Sequence, residues 1–202
     1  MGKVYYYEGS KILAPYTIIS NEPHFDMTTI SLKTQRTTQG HQRWELSFDI
    51  ITTADNEVDS LLGTLLDFDT SRTFIMPQLP SVANLNTITP TPTLAASATA
   101  GSSTVYIDSI TSDGFLPKGS FIKFSNHDKV YITTNDLDLS GTTLKQLDIY
   151  PSLVSAVTAS VSLQSGDLCL LKYYISIDNQ MGITFQDGVL STPGTINLVE
   201  AV

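Results

Sequence analysis

The stretch KGSFIKFSNHDKVYITT, residues 118–134, sets Asn126, His127, Asp128 and Lys129 side by side. An imidazole beside a carboxylate is a pairing used in general acid–base chemistry and in metal binding. Such chemistry needs the two groups to converge on one proton or one ion. The flanking segments SFIKF and KVYITT alternate apolar and polar residues and are expected to pair as a hairpin, with SNHD as its loop. Asn and Asp suit that loop because they tolerate positive φ and bond their own backbone. Adjacent side chains in a tight loop diverge, so His127 and Asp128 are expected to form a turn and no catalytic or metal site.

The other candidates are weighed in the same way. His24 and Asp26 supply two possible ligands at i and i+2, fewer than the three or four a zinc site takes. His41 stands in the turn-like TTQGHQ, and no Gly-x-Ser-x-Gly elbow marks a hydrolase. In NDLDLSG, residues 135–141, Asp136, Asp138, Ser140 and Gly141 match positions 1, 3, 5 and 6 of a calcium loop. The bidentate glutamate of position 12 is replaced by Leu147, and a hairpin loop is the other reading. GFLPKGS has two glycines but no Gly-Lys-Ser/Thr ending, so it is not a P-loop. No catalytic, cofactor-binding or metal residue is assigned, and no cofactor is expected.

Composition points away from several function classes. The 202 residues carry 11 Lys+Arg against 20 Asp+Glu, a net charge of −9, with no basic cluster to bind a phosphate backbone. Cys169 is the only cysteine, which excludes an internal disulfide and suits a buried strand position. MGKVYYYEGSK lacks the apolar core of a signal peptide, and no uncharged run reads as a membrane helix, so a soluble, unexported chain is expected.

The elements that would position these residues are mostly strands. RWELSFDI places Trp44, Leu46, Phe48 and Ile50 on one face, the strict period of two of a half-buried strand. YTIIS and FDMTTISLK are weaker candidates before it. The period then changes: Val58, Leu61, Leu62, Leu65 and Leu66 predict one amphipathic helix, capped by Thr53. SRTFIMP follows as a short strand. No charged residue occurs from Thr73 to Ile107, and the Thr-Pro repeats within this run predict extended chain that suits a linker or domain entry. Five short strands are then expected at 103–110, 120–124, 129–134, 143–151 and 167–171, the count of a small OB-type barrel. YYISID, MGITF and GTINLVEAV alternate again at the end of the chain.

The expected fold is therefore mainly β: a β-sandwich with one α-helix, carrying an inserted small OB-like β-barrel. The sandwich is assigned to residues 1–80 plus 172–202, and the insertion to 81–171. OB barrels bind sugars or single strands through aromatics on their second and third strands. Here Phe121, Phe124 and Tyr131 stand there with Lys118, Lys123 and Lys129, although Phe121 and Tyr131 also suit the barrel core. The insertion carries four Lys against seven Asp, which favours a sugar over a nucleic acid.

QRWELSFDI, the helix and strand after it, AGSSTVYIDSITSDGFLPKGSFIKFSNHDKVYITT and the IYPSL strand end together resemble the distal tail proteins of long-tailed bacteriophages, in the compact form of siphophage tail tips. The resemblance is best over residues 40–171. Members often carry Gly-Asp where this chain has Gly119-Ser120. The resemblance implies a structural virion protein, not an enzyme, forming a homohexameric ring with the OB-like domain projecting outward. It implies partners in the tail tube protein and in baseplate hub or tail-fibre proteins, with the genome passing through the ring lumen and no membrane or specific nucleic-acid binding. Its place would be the tail tip of the virion, after assembly in the host cytoplasm. The alternative is a virion carbohydrate- or receptor-binding module acting through the insert.

Overall fold

The computed structural model describes residues 5–8, 10–28, 30–32, 34–38, 41–51, 63–64, 71–77, 88, 90–108, 114–140, 144–176, 184–186, 190–192 and 194–202. The fold is mainly β. The first strands are β1 (Tyr6–Tyr7), β2 (Ser10–Asn21), β3 (His24–Thr28), β4 (Thr34–Thr38), β5 (Arg43–Ile51) and β6 (Arg72–Ile75). Next come β7 (Thr104–Ile107), β8 (Phe115–Leu116), β9 (Phe121–Phe124), β10 (Val130–Thr133), β11 (Leu137–Asp138) and β12 (Lys145–Tyr150). The last are β13 (Leu163–Ser165), β14 (Leu170–Ile175), β15 (Thr184–Gln186), β16 (Leu190–Thr192) and β17 (Thr195–Glu200). The helix expected on Val58 to Leu66 lies outside the described residues, apart from Gly63 and Thr64, which are helical.

The chain divides into two compact units. One comprises Glu8–Thr70 and Tyr174–Glu200. At its centre β5 pairs antiparallel with β2 and with β17. The alternation of RWELSFDII becomes a buried face of Trp44, Leu46, Phe48 and Ile50. Opposite them in register stand Ile196 against Phe48, Leu198 against Leu46 and Ile12 against Ile50, all buried. Each such side chain taken from water contributes about 1.5–3 kcal/mol before the entropy of ordering is set against it. The β2 register slips between Leu13 and Thr17, where Pro15 has no N–H to give to the ladder.

The other unit comprises Met1–Tyr7, Ser71–Tyr173 and Ala201–Val202. Its main sheet has the strand order β13-β9-β10-β12-β7. Two edges remain, β7 and β13, and the uncharged segment before β7 joins them. Leu94 bridges Ile107 at the β7 edge, and Thr93 bridges Ser162 beside β13. The Leu94 N–H donates to the Val161 carbonyl and the Ala95 N–H to the Tyr106 carbonyl, both at 2.9 Å. The sheet thus closes on itself, which removes its open edges. A linker or domain entry was expected over this segment, and its residues 93–98 are part of the closure, because Leu94 is buried in the core and the backbone groups after Pro92 are free to bond. The core holds Ile107, Ile122, Phe124, Tyr131, Leu147 and Leu163, with Leu94 among them.

One of the five expected strands is displaced. Residues 167–171 do not form the fifth strand of this sheet; Leu163–Ser165 does, pairing with β9. Gly166–Leu168 turns as a 3-10 helix, and Leu170–Tyr173 pairs instead with Ile75–Arg72 of β6. Gly166 has φ +58, a conformation glycine adopts without the Cβ clash, so the chain turns there. In the same unit Phe74 packs edge to face against Tyr7 and Tyr173, with ring centroids 5.9 and 6.5 Å apart.

Candidate functional site

The expected hairpin forms: Val130 stands opposite Lys123, Tyr131 opposite Ile122, and Ile132 opposite Phe121. Its loop carries the Asn126-His127-Asp128 triplet, and the structure sends His127 and Asp128 to different partners. Lys123 Nζ donates to Asp128 Oδ1 at 2.8 Å, and Lys172 Nζ, on β14, donates to Asp128 Oδ2 at 3.1 Å. The hydrogen bond from Lys123, then that from Lys172, hold the Asp128 carboxyl below its ordinary value against the opposing effect of burial. Asp128 is therefore an anionic clasp between two ammonium groups, not a proton carrier near neutrality.

His127 faces the other way. Tyr131 Oη accepts the Val154 N–H at 3.2 Å, so its own proton is free to go to His127 Nε2, 2.8 Å away. His127 Nε2 then accepts, Nδ1 carries the proton, and Nδ1 donates to Asn126 Oδ1 at 2.8 Å. Asn126 Nδ2 donates in turn to the Ala156 carbonyl at 3.1 Å. This continuous chain ties the loop to the segment at 154–156. Burial lowers the His127 pKa, Lys123 lowers it further, and Asp128 opposes them. The ring packs against Phe124 and Tyr131, with centroids 5.9 and 5.6 Å away. With both nitrogens engaged, the imidazole offers no lone pair to a metal. The arrangement acts as a knot that fixes the loop.

No family model matches this chain, and no curated protein matches it.

The remaining sequence candidates are spread through the fold. Asp136 Oδ1 accepts the Lys118 N–H at 2.7 Å, and Asp138 Oδ1 accepts the Ser140 N–H at 2.9 Å. The Ser140 hydrogen bonds hold the Asp138 pKa below its ordinary value. These carboxylates shape the turns around β11, while Leu137 and Leu139, each one residue after an aspartate, enter the core; Gly141 lies outside the described residues. His24 Nε2 lies 3.6 Å from Asp26 Oδ2, and Arg36 donates to both oxygens of that carboxylate. His41 is exposed. Cys169 is buried, but at the end of the 3-10 turn, where its carbonyl accepts the Met76 N–H. Among the described residues no group of three His, Cys, Asp or Glu side chains is placed to hold a metal ion. Among them, too, no helix is long and apolar enough to cross a membrane.

The aromatics considered for ligand binding pack inward: Phe121, Phe124 and Tyr131 are all buried, so none presents a stacking face. Lys123 and Lys129 are buried with them, and Lys118 is exposed. Among the described residues of Ser71–Tyr173, the exposed aromatics are Tyr106 and Phe115. Sequence reasoning missed Lys172 and Val154 as partners of the loop, because they lie 44 and 23 residues from Asp128 and Tyr131. It also missed Glu200, whose buried carboxylate accepts the Trp44 N–H at 3.0 Å across 156 residues. An acid ending the apolar alternation of TINLVE was the one available signal, since a buried carboxylate needs a donor.

Proposed function

We propose that this protein is a structural component of a bacteriophage tail tip, a distal tail protein whose copies close into a hexameric ring joining the tail tube to baseplate hub and fibre proteins. The observation that carries this reading is that two compact units alternate along the chain, with Ser71–Tyr173 of the unit that also holds Met1–Tyr7 and Ala201–Val202 separating the Glu8–Thr70 and Tyr174–Glu200 parts of the other. The resemblance over residues 40–171 implies a sandwich interrupted by an insert, and on this reading the closed five-stranded sheet is the OB-like insert while Glu8–Thr70 with Tyr174–Glu200 supplies the ring-forming sandwich. Engagement of the loop's polar side chains with internal partners also favours work by assembly over catalysis. Closed cyclic symmetry needs head-to-tail surfaces whose rotation returns to the start. A net charge of −9 suits a ring through which DNA passes without adhering.

Light scattering on a size-exclusion column, followed by negative-stain imaging, tests the reading. Six copies of a 22.0 kDa chain give about 132 kDa and a particle with a central hole. A species that stays at one chain's mass, alone and with tail tubes added, would count against it. The second reading, a carbohydrate- or receptor-binding virion module, is favoured only by exposed Tyr106 and Phe115 on the insert. Saturable binding on a glycan array, lost in Tyr106→Ala and Phe115→Ala variants, would raise it above the first.

A further inference from the structure

The segment tied down by the hairpin loop is also one side of a seam. Val154 and Ala156, the residues that bond Tyr131 and Asn126, lie between buried Leu153 and Val157. Leu153 and Val157 in turn hold the chain before β7. The Ala98 N–H donates to the Val157 carbonyl and the Val157 N–H to the Ala98 carbonyl, both at 2.9 Å. The Gly101 N–H donates to the Leu153 carbonyl at 2.7 Å, and the Leu153 N–H to the Ser102 carbonyl at 2.9 Å. Residues 153–157 therefore bond the 98–102 segment with one set of groups and the His127 loop with another.

The loop side of this seam depends on the protonation state of one ring. Neutral His127 accepts the Tyr131 O–H at Nε2 and donates from Nδ1 to Asn126 Oδ1, each at 2.8 Å. A proton added at Nε2 sets an N–H against that O–H across the same gap, so the bond survives only by reversing. Reversal puts two N–H donors, those of His127 and Val154, on the one Tyr131 oxygen and turns the hydroxyl proton away. The surroundings act in the same direction. The half-buried position of the ring opposes an imidazolium, and so does Lys123 on β9. Asp128 in the loop favours it, but that carboxylate already accepts from Lys123 and from Lys172 on β14. Tyr131 on β10 and residues 154–156 bring no charge. Ser125 and Asn126 are exposed, so the ring has a short path to water.

We propose that His127 is a proton-operated latch, whose protonation frees the 125–128 loop from Val154 and Ala156 and loosens the seam between 98–102 and 153–157 within the folded protein. The latched ring resists its proton, and a ring turned out to water does not. The latch is therefore closed above the ordinary 6.5 and opens as pH falls through the latched value. Asp128 keeps its charge across this window, because its own pKa is held below 3.8. The opening is local, distinct from a change in global stability, and it does not depend on the tail-tip reading.

The test follows backbone amide exchange and the His127 ring together by NMR from about pH 7.5 to about pH 4.5, with rates corrected for the intrinsic effect of pH. Protection of the Val154 amide is expected to fall by about tenfold as His127 takes its proton, with one midpoint for both signals. The Leu94 and Leu163 amides, which bond Val161 and Pro92, should keep their protection. His127→Gln should abolish the step at Val154, and Tyr131→Phe should raise the His127 midpoint. Protection at Val154 that stays flat while His127 titrates overturns the latch, as does a ring that remains neutral to the end of the range. Protection lost at Val154, Leu94 and Leu163 together also overturns it, since that is unfolding of the whole sheet. If His127→Gln fails to fold, Tyr131→Phe decides: a raised His127 midpoint supports the latch and an unchanged one overturns it.

Discussion

His127 Nε2 lies 2.8 Å from the hydroxyl of Tyr131, a buried residue four positions later in the chain, on the next strand. The Tyr131 oxygen also takes the Val154 N–H, so one hydroxyl joins the hairpin loop to a segment 23 residues away. Tyr131→Phe keeps the ring packing and removes both bonds, leaving the Val154 N–H without this acceptor. A loss of about 1–3 kcal/mol is expected, read as a lower urea midpoint with an unchanged slope. An unchanged midpoint would mean that the hydroxyl is incidental.

The same pair predicts a pH dependence. Burial, with Lys123 adding to it, depresses the folded-state pKa of His127 below its ordinary 6.5. The unfolded chain therefore binds a proton before the folded one does. The stability associated with neutral His127 is fully present above 6.5 and is lost as pH falls from there through the folded value. His127→Gln should flatten the stability profile between neutrality and the onset of carboxylate titration. A variant profile that still tracks the wild type in that window would place the titration elsewhere.

Asp128 titrates in a separate, more acid window. Its folded pKa is depressed by Lys123 and Lys172, so its contribution is present above the ordinary 3.8 and lost as pH falls through the folded value. Asp128→Ala strands the Lys123 ammonium, whose side chain is only 11% exposed. Because Asp128 itself is 45% exposed, the expected cost is about 1–2 kcal/mol, less than for a fully buried pair. Lys172→Ala should cost less than Lys123→Ala. The opposite order in chemical denaturation would show that the clasp is anchored on β14.

Leu94 tests the closure of the five-stranded sheet. It is buried, and its N–H and C=O bond Val161 and Ser160. Leu94→Ala should destabilise by about 2–5 kcal/mol through the cavity it leaves. The Leu94 and Ala95 amides should exchange with solvent as slowly as those of β9. Fast exchange there in the folded protein would return the segment to the status of a linker.

Glu200→Ala removes the buried acceptor of the Trp44 N–H, with an expected loss of about 1–3 kcal/mol. Glu200→Gln retains an acceptor oxygen and should recover part of that loss. Equal damage from both would trace the effect to charge and not to the hydrogen bond.

Period-two alternation made the strands legible: Trp44, Leu46, Phe48 and Ile50 are buried on the face the sequence assigned them, because successive side chains on a pleated strand point to opposite sides. The SFIKF–KVYITT hairpin was legible for the same reason, helped by Asn126 and Asp128 in its turn. Strand identity at the end of the five-stranded unit was not. Both LQS and LCLLKYY are apolar enough for a sheet, and local pattern does not choose a partner. The tertiary fold chose by placing a 3-10 turn at Gly166 and by pairing Leu170–Tyr173 with β6. Likewise the sequence by itself settled that His127 and Asp128 diverge, since neighbours in a tight turn must. Which groups they diverge toward, Tyr131 for one and Lys123 with Lys172 for the other, was decided only when the strands assembled. Hydrogen bonds and ion pairs act over a few ångströms, and the chain brings such distant residues within that reach only by folding.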